Sequence, residues 1–157
     1  MTKRGALTLL AIACFSAVLA AQSLASAQVP AVVKQALRAK FPAVRQVAWK
    51  MKADKNYEAE FTVTKAEVAV KFDASGKWLE TETAIPASKV PPAVRETIAR
   101  RFPGHKIIET QDLQRWNDQR LVYEIHLENA KEIVKAQFYD DGTVITQSAK
   151  PKPVKGK

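Results

Sequence analysis

The sequence predicts an α+β fold built as a tandem duplication of an α-β-β-β-β unit, with the helices packed on one face of antiparallel sheet. Three observations predict it. Residues 29–42 (VPAVVKQALRAKFP) lie over residues 90–103 (VPPAVRETIARRFP) without a gap, sharing Val, Pro, Val, Phe and Pro, and such self-similarity marks an internal repeat. Downstream of each copy, apolar and polar residues alternate with the period of a half-buried strand. Two short turn sequences, DASG at 73–76 and YDDG at 139–142, then stand at equivalent places in the two halves. The alignment moves from an offset of 61 at the helices (Val90 over Val29) to 66 at the strands (Tyr123 over Tyr57), so the second copy carries five extra residues between its helix and that strand.

The first 27 residues read as an export leader. Lys3 and Arg4 form a short positive region, an apolar run extends from Ala6 to about Ala21, and Ala25-Ser26-Ala27 fits a small-x-small cleavage pattern, giving a mature chain from Gln28. The apolar run is too short for a membrane span and is broken by Gln22 and Ser23, so no stable insertion is expected after cleavage. Lipid attachment at Cys14 is the alternative, but Ala11 stands where that motif usually has Leu. Cys14 is the one cysteine of the chain, so the mature part has no thiol nucleophile and no disulfide. The net charge of +9 falls to +7 once Lys3 and Arg4 are removed. Four more positives (Lys150, Lys152, Lys155, Lys157) sit with Pro151, Pro153 and Gly156 in a segment that reads as a disordered tail over 150–157. A folded part of about +3 argues against a nucleic-acid surface.

Between leader and tail the expected units are 28–86 and 87–149. Each opens with a helix. Pro30 and the pair Pro91-Pro92 suit a first turn, with Ser88 as a candidate cap, and Val33, Leu37 and Phe41 recur at i, i+4 and i+8 like Val94, Ile98 and Phe102. Phe41 and Phe102 precede prolines and should end their helices. Four strands per unit are expected near 44–52, 56–64, 66–73 and 77–85, then 105–113, 119–128, 131–139 and 143–149. A helix with one apolar stripe and a meander with one apolar face cover each other. The short linker AIPASK at 84–89 places the units side by side, leaving their opposite sheet faces as one broad exposed surface.

Reactive groups are sparse. The two histidines, His105 and His126, align with Val44 and Glu60 and form no metal-ligand spacing; Ser75 and Ser148 have no nucleophile context, and no glycine-rich phosphate loop occurs. Glu58, Glu60, Glu82, Glu124 and Glu128 fall on the open face by strand alternation alone, and DASG and YDDG are too short for a calcium loop. No catalytic residue, metal or cofactor is expected. The candidate partner-binding residues are Trp116 with Arg115 and Arg120 in a long hairpin connection, LQRWNDQR at 113–120, together with Trp78, Tyr139 and His126. Trp49 is a core candidate, and so is Trp78.

A helix that starts at Pro and ends in Phe-Pro, then Tyr-Glu-x-x-Phe or Leu, then FDASGKWLE at 72–80, resembles the PepSY-like domains, which are β-lactamase-inhibitor-like. The resemblance covers nearly all of 29–149 as two copies; the second departs at Thr143, Val144 and Ile145, where the first has Lys77, Trp78 and Leu79. It implies a small exported α+β binding module, related in shape to an inhibitor whose concave sheet grips a partner, and supplies no catalytic residues. The expected role is therefore a non-enzymatic periplasmic or secreted module that recognises a protein or peptide in the cell envelope through its open sheet and loops, as an inhibitor of a hydrolase in the narrower version. The alternatives are an envelope-sensing accessory protein that binds a small ligand or metal ion, and a weak hydrolase using His126 and the glutamates. With Phe72 and Phe138 in the two cores, truncating either to alanine is expected to cost about 3–5 kcal/mol, read as a drop in the urea midpoint.

Overall fold

The structure, a computed structural model, describes residues 22–152. The expected leader as far as Ala21, with Cys14, and the lysines at 155 and 157 lie outside the described residues. The chain runs β1 (Gln22–Leu24), a 3-10 turn (Ser26–Gln28), α1 (Ala31–Lys40), β2 (Ala48–Met51), β3 (Tyr57–Val63), β4 (Ala66–Phe72) and β5 (Trp78–Ala84). It continues through a 3-10 turn (Ala87–Lys89), α2 (Pro92–Arg101), β6 (Lys106–Arg115), β7 (Asp118–Glu128), β8 (Glu132–Tyr139) and β9 (Val144–Pro151), the order that follows β1 in the first half. The fold is α+β, and the nine strands form one antiparallel sheet in sequence order. Among the described residues no helix is long and apolar enough to cross a membrane.

Each helix begins immediately after a proline, Pro30 or Pro91, which has no N–H to leave unpaired. Ser88 is not the cap; it lies in the 3-10 turn, and no side chain caps α2. Each helix ends one residue short of its phenylalanine, as the following proline requires. Val33 and Leu37 of α1 are buried against Trp49, Ala59, Phe61, Val70 and Phe72, and the Phe41 ring meets Phe61 edge-on at 5.0 Å. Val94 and Ile98 of α2, with Phe102, are buried against Ile125, Leu127, Ala136 and Phe138. Trp49 is buried as expected, while Trp78 is half-buried against the first core.

Paired residues of antiparallel strands project to one face. Val68 pairs with Thr83, Thr83 with Asp112 and Asp112 with Tyr123, so a residue of the first core and one packed on the second share a face. The joint between the halves is a strand pair: β5 and β6 are in register from Glu80–Arg115 to Ala84–Gln111. There the Ile85 N–H donates to the Thr110 carbonyl at 3.0 Å, and the Thr110 hydroxyl donates back to the Ile85 carbonyl.

Two expectations need correction. The connection at 113–120 is a turn of two residues, Trp116 and Asn117, because β6 continues to Arg115, whose register partner is Asp118 on β7. The tail is ordered at its start: Lys150 and Pro151 belong to β9, and the Lys152 N–H donates to the Lys131 carbonyl. Gln22–Leu24, inside the expected leader, form β1 against β2, so cleavage after Ala27 would remove an edge strand.

The turn glycines Gly76 and Gly142 both have positive φ, and both lie against the first turn of a helix. A Cβ on Gly142 would stand 2.6 Å from the Ala93 carbonyl oxygen, and one on Gly76 3.0 Å from that of Val32. Gly104 also has positive φ but has open space around it. Gly104→Ala is therefore expected to cost about 1 kcal/mol from backbone strain alone, and Gly142→Ala about 1–3 kcal/mol more from the clash with α2. Equal losses in urea unfolding would contradict this account of the contact.

Candidate binding face

The face of the sheet that carries Glu58 is written in charged rows, because register carries one residue of each strand across it. Lys50 pairs with Glu58, Glu58 with Lys71, Lys71 with Glu80, Glu80 with Arg115 and Arg115 with Asp118. That row alternates in sign over six strands. The Lys71 ammonium lies 3.5 Å from Glu80, and the Arg115 Nε donates to the other Glu80 oxygen at 2.5 Å. Burial pushes the Glu80 carboxyl up, but the Arg115 hydrogen bond and the two cations outweigh it and hold the group below its ordinary value.

The neighbouring row is different. Glu60 pairs with Ala69, Ala69 with Glu82, Glu82 with Leu113 and Leu113 with Val122. Glu82 thus has an alanine on one side and a fully buried leucine on the other, with no cation directly opposite. Burial, then the negative charges of Glu124 and Glu80, push its carboxyl up to about 7. An open hollow of about 540 Å³ lies over this region, with Lys50, Glu58, Glu60, Glu82, Glu109 and Gln111 among its walls.

Two carboxylates of this face are almost wholly buried, and each is held by a lysine. Glu58 lies 2.9 Å from the Lys52 ammonium. Glu124 accepts from Lys135 at 2.6 Å and from the Gln137 amide at 2.7 Å; burial alone would raise its carboxyl, and these donors hold it lower. His126 stands between two acids, with Nδ1 2.7 Å from Glu109 and Nε2 3.2 Å from Glu124. Among the described residues no three His, Cys, Asp or Glu side chains converge as a metal site. The arrangement is suited to electrostatic and hydrogen-bond recognition.

The residues singled out from the sequence divide into two places. Trp78, Arg115 and Arg120 line one hollow of about 410 Å³ near the β6–β7 turn. Arg120 lies over the Tyr139 ring at 3.9 Å while binding Asp140 and Asp141, and the Tyr139 hydroxyl donates to Asp118 at 3.0 Å. Trp116 stands at the tip, 54% exposed, with the Lys77 ammonium 3.3 Å from its ring centre; Trp78 has Lys40 over its ring and donates to Thr81. His126 is apart from them, in the acidic cluster. Sequence reasoning missed Glu80, Glu109, Lys71 and Lys135, whose signal is visible only once strand register is known.

The Glu82 carboxyl, raised above its unfolded value, favours the folded state fully below the usual carboxylate range, and that contribution is lost as pH climbs through about 7. Glu82→Gln should remove the loss: wild type is expected to weaken relative to the variant by about 1–2 kcal/mol between pH 5 and pH 8, after discounting for its partial exposure. Parallel stability curves in urea titrations across that range would show that Glu82 is an ordinary surface acid.

The family described as "Putative beta-lactamase-inhibitor-like, PepSY-like" matches residues 19–68 and 55–146. No curated protein matches the chain. Among solved structures, a DUF2874 family protein from Bacteroides uniformis has a similar fold, with a TM-score of 0.69 at 23% identity over 76% of this chain and 88% of that one. A protein from Bacteroides eggerthii described as a "putative periplasmic" protein gives 0.69 at 22% identity over 76% and 88%. A BLIP-like protein from Bacteroides fragilis gives 0.65 at 21% identity over 80% and 89%. At these identities the structures speak to the fold alone, whereas the family match spans most of the chain: the protein belongs to the PepSY-like, β-lactamase-inhibitor-like family.

Proposed function

We propose that the protein is an exported, non-enzymatic binding module that recognises a protein or peptide of the cell envelope through the charged face of its sheet and the β6–β7 turn. The observation that carries this reading is the face itself, eight strands wide from β2 to β9, with both apolar cores on its reverse and a net acidic hollow near its middle. We further propose that the chain is a tandem duplication, with units near 28–86 and 87–149 whose helices cover one face together. Supporting it are the matched pairs Val33 and Val94, Leu37 and Ile98, Phe72 and Phe138, and the matched contacts of Gly76 and Gly142 with a helix. The leader and the periplasmic description of a similarly folded protein support export to the periplasm.

The carboxylates favour binding over acid-base catalysis, because Glu58, Glu80 and Glu124 are each engaged by a lysine or arginine. Inhibition of a hydrolase is the narrower form of the proposal, with the exposed Trp116 as the inserted side chain and Arg115 and Arg120 beside it.

Photo-crosslinking amino acids placed at Gln111 on the charged face and at Lys34 on α1 test the reading in periplasm-containing cells. A discrete crosslinked partner is expected from Gln111 and not from Lys34, and Trp116→Ala should weaken its capture at least about tenfold, equivalent to roughly 1.4 kcal/mol. Capture from Lys34 alone would place the interface on the helical side and overturn the proposal.

A further inference from the structure

We infer that the export leader is cut ahead of Gln22, at the bond after Ala20, so that β1 and the 3-10 turn behind it stay with the exported chain. The inference rests on the export reading above and moves the processing site upstream of the Ala25-Ser26-Ala27 pattern.

Residues 22–28 are bound into the first half by backbone and side chain. β1 pairs with β2 at three positions, Gln22 with Met51, Ser23 with Lys50 and Leu24 with Trp49, and the Leu24 side chain packs on the first core. Behind it the Gln28 N–H donates to the Ala25 carbonyl at 2.9 Å, and the Gln28 side-chain oxygen accepts from the Ala25 N–H at 2.8 Å. The Lys34 ammonium on α1 donates to the Ser26 carbonyl at 3.1 Å. Cleavage after Ala27 would strip each of these contacts of one partner.

The second half shows what such residues do. At the offset of 61 that relates the two helices, Leu24 falls on Ile85 and Trp49 on Thr110. Ile85 packs on the second core as Leu24 does on the first, and its N–H donates to the Thr110 carbonyl at 3.0 Å. The turn Ser26–Gln28 falls on Ala87–Lys89, where the Lys89 N–H donates to the Pro86 carbonyl at 2.8 Å as Gln28 does to Ala25. Val29 and Val90 follow, both buried, and each donates its N–H three residues back, to Ser26 and to Ala87. In the second half this approach to the helix is the link between the halves and always stays with the chain. A leader ending at Ala27 would leave the first half without the strand and turn that its counterpart keeps.

The sequence offers the site just upstream. Val18-Leu19-Ala20 puts a small residue beside the cut and the compact Val18 two places before it. Cutting there leaves Ala6 to Ala17 as the apolar core of the leader, within the roughly 7–15 residues such a core has. Gln22 and Ser23, which interrupt the apolar run, then belong to β1, and the exported chain opens one residue before it.

Expression of the full chain in a Gram-negative host, followed by intact mass and N-terminal sequencing of the periplasmic protein, tests the inference. A start at Ala21 is expected, and a start at Gln22 equally keeps β1. A start at Gln28, or anywhere past Gln22, overturns the inference and leaves the export reading standing; an unprocessed chain overturns both. Ala20→Phe sets a bulky side chain at the cut and should slow processing at least about tenfold, whereas Ala27→Phe, at an exposed position, should leave its rate unchanged. The reverse pattern would put the cut after Ala27. Urea unfolding of chains begun at Ala21 and at Gln28 gives a second measurement, in which the shorter chain should have the lower midpoint. In the longer chain Leu24→Ala should raise the unfolding equilibrium constant about tenfold. Equal midpoints for the two chains would overturn the packing account on which the inference stands.

Discussion

Antiparallel pairing carried through nine strands in sequence order is the constraint on which the rest depends. Side chains on a strand alternate between faces, so a slip of one residue anywhere would exchange core and surface for that strand. Held in register, the same alternation delivers two products at once. It gathers Val68, Val70, Phe72, Ile125 and Phe138 into the two apolar cores, and it lines up Lys50, Glu58, Lys71, Glu80, Arg115 and Asp118 in a row of alternating sign. One row further along the strands, the same bookkeeping leaves Glu82 between Ala69 and Leu113, with no cation directly opposite it.

The helices are fixed to this sheet by side-chain burial and by a backbone contact. Val29 and Val90, just before the prolines, are buried as fully as the residues of the apolar stripes, so each helix is seated from its first turn. The turn after β4 or β8 then comes close to the helix backbone, tightly at Gly76 against Val32 and, at Gly142 against Ala93, too closely for a Cβ without a shift. A glycine in each case satisfies the positive φ and the close approach together.

Much of this was legible in the sequence for a physical reason: periodicity is local. The stripes of α1 and α2, the alternation of β3 and β7, and the glycine turns can each be read within about a dozen residues, and all lie where expected. What was illegible is non-local. Nothing near Glu80 or Arg115 announces that they face each other across the joint between halves, because they are 35 residues apart. The sequence therefore names glutamates on the open face but cannot separate Glu80, held by Lys71 and Arg115, from Glu82, which has no cation directly opposite it. β1 was hidden by the leader pattern over it, and the start of the tail by a composition that reads as disordered although Lys150 and Pro151 complete β9. The Thr64-Lys65 turn was also invisible, since both residues have positive φ where asparagine and glycine are usual.

The charged face has an energetic profile that stability does not explain. Exposed ion pairs are worth little, and a buried pair is often matched or bettered by apolar residues of similar volume. Yet Glu58 and Glu124, second residues of the similar segments YEAEF and YEIHL, both place a carboxylate where it is almost fully buried, and each is held by a lysine. An alanine or valine in either place would satisfy the sheet without desolvating a charge. The arrangement instead fixes the positions of acids and bases on a rigid surface, where they can be complementary to a partner before it arrives. Pre-set complementarity of that kind discriminates between partners more than it strengthens any one contact.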